Sequence, residues 1–176
     1  IERTCQRFFG GGPEFKLEEV LPRHLPKVGL FKVRLIYGPK VDLIEAAPYE
    51  VKKIKTLEVV WAKPFDYGHK YLDRGQINRL KANSQADDII IVMDGLVTDS
   101  SIANLVFKNE KGLFTPEKCL LPGIKREFLL KKGLIKSKNI KVEDLSQYSG
   151  LSLINAMIDL EDQVGLPVQN IIQGAF

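Results

Sequence analysis

The amino-acid sequence predicts an α+β fold. Helical and strand patterns follow one another without a regular β–α–β alternation, which favours mixed or antiparallel sheets. Of the 176 residues, 44% are hydrophobic and 27% are charged, a composition typical of a globular protein with a buried core. The pattern changes at a Pro- and Gly-containing stretch. We therefore expect an N-terminal lobe of residues 1–63, a linker over 64–69 and a larger lobe of residues 70–176.

The composition excludes several classes of protein. No apolar run approaches the roughly 20 residues that span a bilayer, and no tract is of low complexity. Cys5 and Cys119 are too few for a disulfide framework, which indicates reduced thiols. With two histidines, His24 and His69, a Cys/His zinc site lacks ligands. The net charge of +4 is spread along the chain, so we interpret it as a solvated basic face rather than a nucleic-acid site.

The first lobe begins with a helical pattern over residues 1–9. Gly10 to Gly12 end this helix, and since it has no start signal we expect further residues before Ile1. Apolar and basic residues alternate over 29–37, as in a half-buried strand. The other elements predicted here are a short helix over 17–25, a strand over 41–47 that completes a hairpin, and a strand over 56–62.

The second lobe begins with a helix over residues 74–83, where Ile77 and Leu80 have helical spacing. The apolar run of residues 88–93 indicates a strand that is buried on both faces. A helix over 123–133 ends at a glycine. The remaining predicted elements are a hairpin of strands 103–107 and 112–115, a strand over 134–140, a helix over 142–148, and extended segments over 151–156 and 167–172.

Lys70 follows the predicted linker, where two lobes would form a cleft. A lysine whose pKa is lowered by burial, or by a neighbouring cation such as Arg74, can act as a nucleophile. An exposed lysine between the lobes is the alternative that the residues alone leave open.

Asp99 begins a polar stretch after the predicted buried strand. Its carboxylate could hold a proton on a ring nitrogen, with Asn104 or a serine fixing its orientation. A turn rich in side-chain hydrogen bonds is the alternative.

The run Leu121 to Arg126 places Gly123 at a helix start with two cations beside it. Unpaired backbone N–H groups and the helix dipole suit a phosphate there, and a plain helix start is the alternative. The run Leu153 to Met157, an apolar strand followed by Asn155 and Ala156, indicates nothing by itself.

The four segments around Lys70, Asp99, Gly123 and Asn155, taken in this order, resemble the fold-type IV pyridoxal-phosphate enzymes. These enzymes are also called class IV aminotransferases. The family pattern is a lysine, then acid–x–x–x–x–Asn–(Leu/Ile)–Phe, then Thr-Pro, then Leu-x-Gly-(Ile/Val)-x-Arg. This chain has Lys70, the stretch Asp99 to Phe107, the pair Thr115-Pro116 and the run Leu121 to Arg126. The resemblance extends over residues 30–172.

The resemblance implies a two-lobed, D-amino acid aminotransferase-like architecture, with a small α/β lobe and a larger pseudo-barrel lobe. It further implies pyridoxal 5′-phosphate as cofactor and a cytoplasmic homodimer, with no metal, nucleic acid or membrane. Lys70 would hold the cofactor as a Schiff base and act as general base, while Asp99 would keep the pyridine nitrogen protonated. Further implied cofactor-binding residues are Arg74, Asn104, Gly123, Ile124, Lys125, Asn155 and Ala156. Arg34 is a candidate for a substrate carboxylate, with an exposed strand cation as the alternative.

Two details favour the lyase branch of this family. The run Lys70 to Arg74 is similar to Lys-x-Leu-Asn-Arg of the lyases, and Asn155 to Met157 with Pro167-Val168 resembles their Asn-(Ala/Ser)-Leu ending. The resemblance therefore implies a 4-amino-4-deoxychorismate lyase that releases pyruvate and leaves 4-aminobenzoate for folate biosynthesis. A branched-chain or D-amino acid aminotransferase is the alternative, and a non-catalytic binding protein on the same scaffold is the second.

The chain departs from the family pattern at three places. Asp99 stands where Glu is usual, so a shorter carboxylate would have to reach the pyridine nitrogen. Lys125 stands where threonine or another small residue is common, which implies a phosphate contact through the backbone. A phosphate-binding arginine is expected before Ile1.

Overall fold

The computed structural model describes residues 1–21 and 28–174. The chain forms two compact units, Ile1–Glu50 and Val51–Phe176. The linker predicted over residues 64–69 lies later in the chain than this boundary. The strand predicted over 56–62 pairs within the sheet of the second unit.

The described part of the first unit contains two helices and a β-hairpin. Helix α1 (Glu2–Phe9) ends at Gly10, whose left-handed φ of 73° favours glycine, as predicted. Helix α2 (Leu17–Val20) is short, and the end of the predicted helix, with His24, lies outside the described residues. Strands β1 (Phe31–Tyr37) and β2 (Val41–Pro48) pair antiparallel, which confirms the predicted hairpin.

The second unit is built on one mixed nine-stranded sheet, which confirms the α+β prediction. The strand order is β10-β9-β6-β5-β4-β3-β11, and β7 pairs with both β6 and β8. The pairs β3–β4, β3–β11 and β7–β8 are parallel, and the others are antiparallel. The strands are β3 (Leu57–Trp61), β4 (Asp88–Met93), β5 (Leu96–Ser100), β6 (Asn104–Asn109), β7 (Gly112–Pro116), β8 (Lys136–Lys138), β9 (Gly150–Ile154), β10 (Gly165–Pro167) and β11 (Ile171–Ile172).

Helices α3 (Gly75–Ala82) and α4 (Ile124–Lys131) belong to this unit, together with three short 3-10 helices. The 3-10 helices are Val142–Gln147, Leu160–Asp162 and Val168–Asn170. Among the described residues, no helix has the length and apolar character required to cross a membrane.

Strand β4 is buried on both faces, as its apolar sequence predicts. Ile90 and Val92 join the largest buried cluster, whereas Ile89 and Ile91 pack with Ile77 of α3. Helix α4 is anchored in a third cluster through Leu129. Since alternate side chains of a strand point to opposite faces, the sheet is a layer between separate apolar clusters, and it fixes both helices.

Strand β5 is the main element that the sequence does not predict, because its polar residues are also typical of a turn. Its Thr98 hydroxyl donates to the Ile91 carbonyl oxygen at 2.8 Å, and Asp99 and Ser100 are also buried. Polar side chains are tolerated in a buried strand when they are hydrogen-bonded. The strand predicted over 134–140 shortens to β8, where pairing with β7 covers three residues.

Candidate active site

The tight turn between β5 and β6 is the centre of the candidate site. The Ser100 N–H donates to the Ala103 carbonyl oxygen at 2.9 Å. The Ser100 hydroxyl accepts N–H groups from Ile102 at 3.2 Å and Ala103 at 3.0 Å. The chain therefore reverses immediately after β5, and Asp99 pairs directly with Asn104 on the neighbouring strand.

Asp99 is a buried carboxyl group with 4% of its surface exposed. Its Oδ1 accepts a hydrogen bond from Asn104 Nδ2 at 2.7 Å, and its Oδ2 accepts the Leu121 N–H at 2.9 Å. Burial raises the pKa of Asp99 to about 6, although these two hydrogen bonds favour the carboxylate. Asp99 can therefore hold or release a proton near neutral pH.

Asn104 connects Asp99 to the segment that precedes α4. Its Nδ2 donates to Asp99 and also to the Leu121 carbonyl oxygen at 2.8 Å, so both of its amide hydrogens are engaged. A Cβ atom at Gly123 would lie 2.2 Å from Asn104 Oδ1. Gly123 is therefore required by the close approach of this side chain.

Helix α4 begins directly after Gly123, as predicted. Its first helical hydrogen bond runs from the Glu127 N–H to the Gly123 carbonyl oxygen at 2.9 Å. The backbone N–H groups of Ile124, Lys125 and Arg126 precede that bond and have no acceptor within the helix. Such a helix start suits an anion.

The two cations at this helix start have separate partners. Arg126 Nη2 donates to the Pro116 carbonyl oxygen at 2.8 Å, and its Nε donates to the Thr115 hydroxyl at 3.3 Å. Arg126 therefore holds α4 to the end of β7. Lys125 forms an ion pair with Asp159, whose pKa is lowered by this hydrogen bond. Sequence reasoning missed Asp159, which no local pattern marks.

Asn155 and Arg74 both bind the β5–β6 turn. Asn155 Nδ2 donates to the Ile102 carbonyl oxygen at 3.2 Å, and its Oδ1 accepts the Met157 N–H at 2.7 Å. Arg74 Nη2 donates to the Ser101 carbonyl oxygen at 2.5 Å. The neighbouring Ala156 is exposed.

Lys70 lies on an exposed stretch that leads to Arg74 and the start of α3. A cavity of about 600 Å³ borders this stretch, lined among others by Tyr67, Tyr71 and Arg74. The Tyr71 hydroxyl donates to Asp66 Oδ2 at 3.0 Å, which fixes one wall of the cavity.

Seven of the predicted site residues therefore lie at one turn and the adjoining helix start: Arg74, Asp99, Asn104, Gly123, Ile124, Lys125 and Asn155. Arg34 belongs to the first unit, where it is exposed and its Nη1 atom lies 3.2 Å from Glu45 Oε2. Its assignment to a substrate stays a prediction.

Comparisons with known proteins show the family to which the chain belongs. A family model described as amino-transferase class IV matches residues 41–170. An uncharacterised protein of Haemophilus influenzae is 38% identical over 160 residues, which are 89% of this chain and 85% of that protein.

Some solved structures resemble the chain in both sequence and fold, and others resemble it in fold alone. The crystal structure of a proposed 4-amino-4-deoxychorismate lyase from Haemophilus somnus 129pt has a TM-score of 0.78 at 33% identity, covering 89% of this chain and 84% of that one. The pyridoxal phosphate-bound form of a hypothetical aminotransferase from Mycobacterium tuberculosis has a TM-score of 0.57 at 18% identity, covering 73% and 53%. The second similarity concerns the fold alone.

Proposed function

The chain belongs to the class IV aminotransferase family, and on that premise we propose that it is a pyridoxal 5′-phosphate-dependent 4-amino-4-deoxychorismate lyase. The observation that carries the proposal is the link through Asn104 between the buried Asp99 and the glycine-led start of α4. The choice of a lyase is supported by the run Lys70 to Arg74 and by the 33% identity to a structure described as a proposed lyase.

The residues present fit both polar ends of the cofactor. A protonated pyridine nitrogen requires an anionic acceptor that is shielded from water, and Asp99 is such an acceptor. A phosphate requires converging N–H groups, which the start of α4 supplies, and Gly123 lets the Asn104 side chain approach that start closely. We assign the ring nitrogen to Asp99 and the phosphate to the backbone of Gly123, Ile124 and Lys125, with the Asn155–Ala156 segment completing the phosphate site.

The chemistry of the proposed reaction divides between the cofactor and the protein. When bound, pyridoxal phosphate supplies an electron sink for the pair released at the substrate carbon that carries nitrogen. Lys70 is assigned as the amine that would hold the cofactor until the substrate amine replaces it, and the freed Lys70 amine would then take the proton from that carbon. Loss of pyruvate then leaves 4-aminobenzoate. Arg74 and Asn155 keep the turn after Asp99 in place, and Asp99 holds the proton at the ring nitrogen.

The wider assignments extend the same proposal. A homodimer in the cytoplasm, whose product enters folate biosynthesis, follows from the family expectation. Sedimentation of the purified protein measures its oligomeric state.

The first test is the covalent link between Lys70 and the cofactor. Protein incubated with pyridoxal phosphate should develop the visible absorbance of lysine-bound cofactor, and borohydride should fix the cofactor to Lys70. Lys70→Ala should abolish this labelling, whereas Lys63→Ala, an exposed lysine of the preceding segment, should retain it. A wild-type protein that takes up no cofactor would overturn the enzyme proposal in favour of a binding protein.

The second test separates the two reactions. The loaded protein is assayed for pyruvate release from 4-amino-4-deoxychorismate, and for transamination of branched-chain and D-amino acids with 2-oxoglutarate. We expect pyruvate release that depends on Lys70. Turnover of the amino acids alone would replace the lyase by an aminotransferase.

A further inference from the structure

The ion pair between Lys125 and Asp159 joins two segments that the proposed function places around the cofactor phosphate. Lys125 lies in the first turn of α4, and Asp159 follows the loop after β9. The side chains are 25% and 39% exposed, compared with 75% and 51% for Lys131 and Glu127 of the same helix. The pair is therefore better sheltered than an ordinary surface pair.

Asp159 is fixed within its own loop by hydrogen bonds that do not involve Lys125. Its Oδ1 accepts the Leu160 N–H at 2.8 Å, and its own N–H donates to Asp162 Oδ2 at 2.7 Å. The preceding residue, Ile158, pairs through its backbone with Asn155. Asp159 is therefore connected through its backbone to the loop that carries Asn155, so the position of its carboxylate affects the position of that loop.

The Lys125 ammonium group lies beside the Asp159 carboxylate and the Phe128 ring. Its Nζ atom is 5.9 Å from the centre of that ring. With its charge balanced by Asp159, this lysine adds little positive potential at the free N–H groups of the helix start.

We propose that the Lys125–Asp159 pair is a clamp that holds the Asn155–Ala156 loop against the start of α4. Asp159 is thereby a positioning residue for the cofactor phosphate, and Lys125 acts through the loop rather than as a phosphate ligand. This inference rests on the proposed function, since it concerns the same phosphate site.

The test compares the affinities of the wild type and its variants for pyridoxal phosphate and for pyridoxal, which lacks the phosphate. Lys125→Met and Asp159→Asn should each weaken binding of pyridoxal phosphate about five-fold, the equivalent of ~1 kcal/mol. The double variant should bind no more weakly than either single variant, because both remove one interaction. Pyridoxal affinity should not change, and Lys125→Arg should restore the binding of pyridoxal phosphate.

Lys131→Met is the matched control, because it removes an exposed ion pair from the same helix. It should leave both affinities unchanged. If Asp159→Asn tightens binding while Lys125→Met weakens it, Lys125 is a phosphate ligand with Asp159 as its competitor, and the clamp is wrong. Unchanged affinities, or effects that add in the double variant, also contradict the clamp.

Hydrogen exchange of the cofactor-free protein tests the clamp apart from the proposed function. Lys125→Met should accelerate amide exchange in residues 155–162, and Lys131→Met should not. If the wild type binds no pyridoxal phosphate, the proposed function fails and this measurement alone decides the clamp. Equal exchange in the wild type and Lys125→Met would overturn it.

Discussion

At the scale of single residues, the protonation of Asp99 changes the stability of the folded protein. In the unfolded chain its carboxyl group has its ordinary pKa of 3.8, whereas burial raises the pKa in the folded protein to about 6. Between these values the folded protein binds a proton that the unfolded chain has lost. Raising the pH through this window therefore favours the unfolded chain.

We predict that Asp99 makes the cofactor-free protein less stable as pH rises from 4 to 7. Over this range Asp99 lowers the free energy of unfolding by about 3 kcal/mol, and the decrease is complete above the folded-state pKa. Denaturant unfolding at several pH values measures it. Asp99→Asn should remove this decrease, at the cost of the hydrogen bond accepted from Leu121.

Asp87 is the matched control for this experiment. Hydrogen bonds from the backbone of Lys55 and then Thr56 lower its pKa, so its contribution has the opposite sign and is lost as pH falls. Asp87→Asn should therefore reduce the stability gained on raising the pH. If Asp99→Asn keeps the wild-type pH profile, the assignment of the proton to Asp99 fails.

Single residues differ in how far the sequence could predict them. Asp99, Asn104 and Gly123 belong to spaced motifs, and the structure brings all three together. The Lys125–Asp159 pair spans 34 residues, so its formation depends on the path of the chain between them and no local pattern reveals it.

At the scale of elements, the start of α4 depends on Gly123 for space rather than for backbone freedom. Its φ of −69° and ψ of 141° are open to any residue. Gly123→Ala should therefore destabilise the protein by about 1–3 kcal/mol through collision with Asn104, and weaken pyridoxal phosphate binding. Chemical denaturation and cofactor titration measure the two effects.

A double variant tests this explanation. Asn104→Ala removes the colliding atom, so Gly123→Ala should cost less in that background. Gly133 provides the contrast, because its φ of 69° is left-handed and a Cβ there has nothing within 4 Å. Gly133→Ala should cost about 1 kcal/mol from backbone strain, with no rescue by Asn104→Ala.

Elements with strong periodicity were predictable. The β1–β2 hairpin, α3 and β4 agree with the apolar patterns within a few residues. Strand β5 was not predictable, because the polar residues Thr98, Asp99 and Ser100 are typical of a turn unless their hydrogen-bond partners in the fold are known.

At the scale of the whole molecule, cofactor binding should stabilise the folded chain by mass action. Pyridoxal phosphate at a hundred times its Kd should raise the free energy of unfolding by about 2.7 kcal/mol. Thermal and denaturant unfolding measure this, with pyridoxal at the same concentration as the control. An unchanged midpoint at saturating pyridoxal phosphate would contradict the proposed site.

The boundary between the two units at Glu50 lies earlier in the chain than the predicted linker of residues 64–69. Strand β3 follows the hairpin in sequence and precedes the Pro- and Gly-containing stretch, which is why the sequence places it in the first lobe. Its partner is β4, reached across α3 in a parallel pairing, and such non-local pairings leave no local mark.

The β5–β6 turn has a consequence for how this protein can vary. Because Arg74 and Asn155 both bind its carbonyl groups and Asp99 leads into it, segments far apart in sequence share one small junction. A replacement in one of these segments alters which replacements the others accept. We therefore expect epistasis within this group, so that compatible sets of residues are exchanged together during divergence, whereas exposed positions elsewhere change independently.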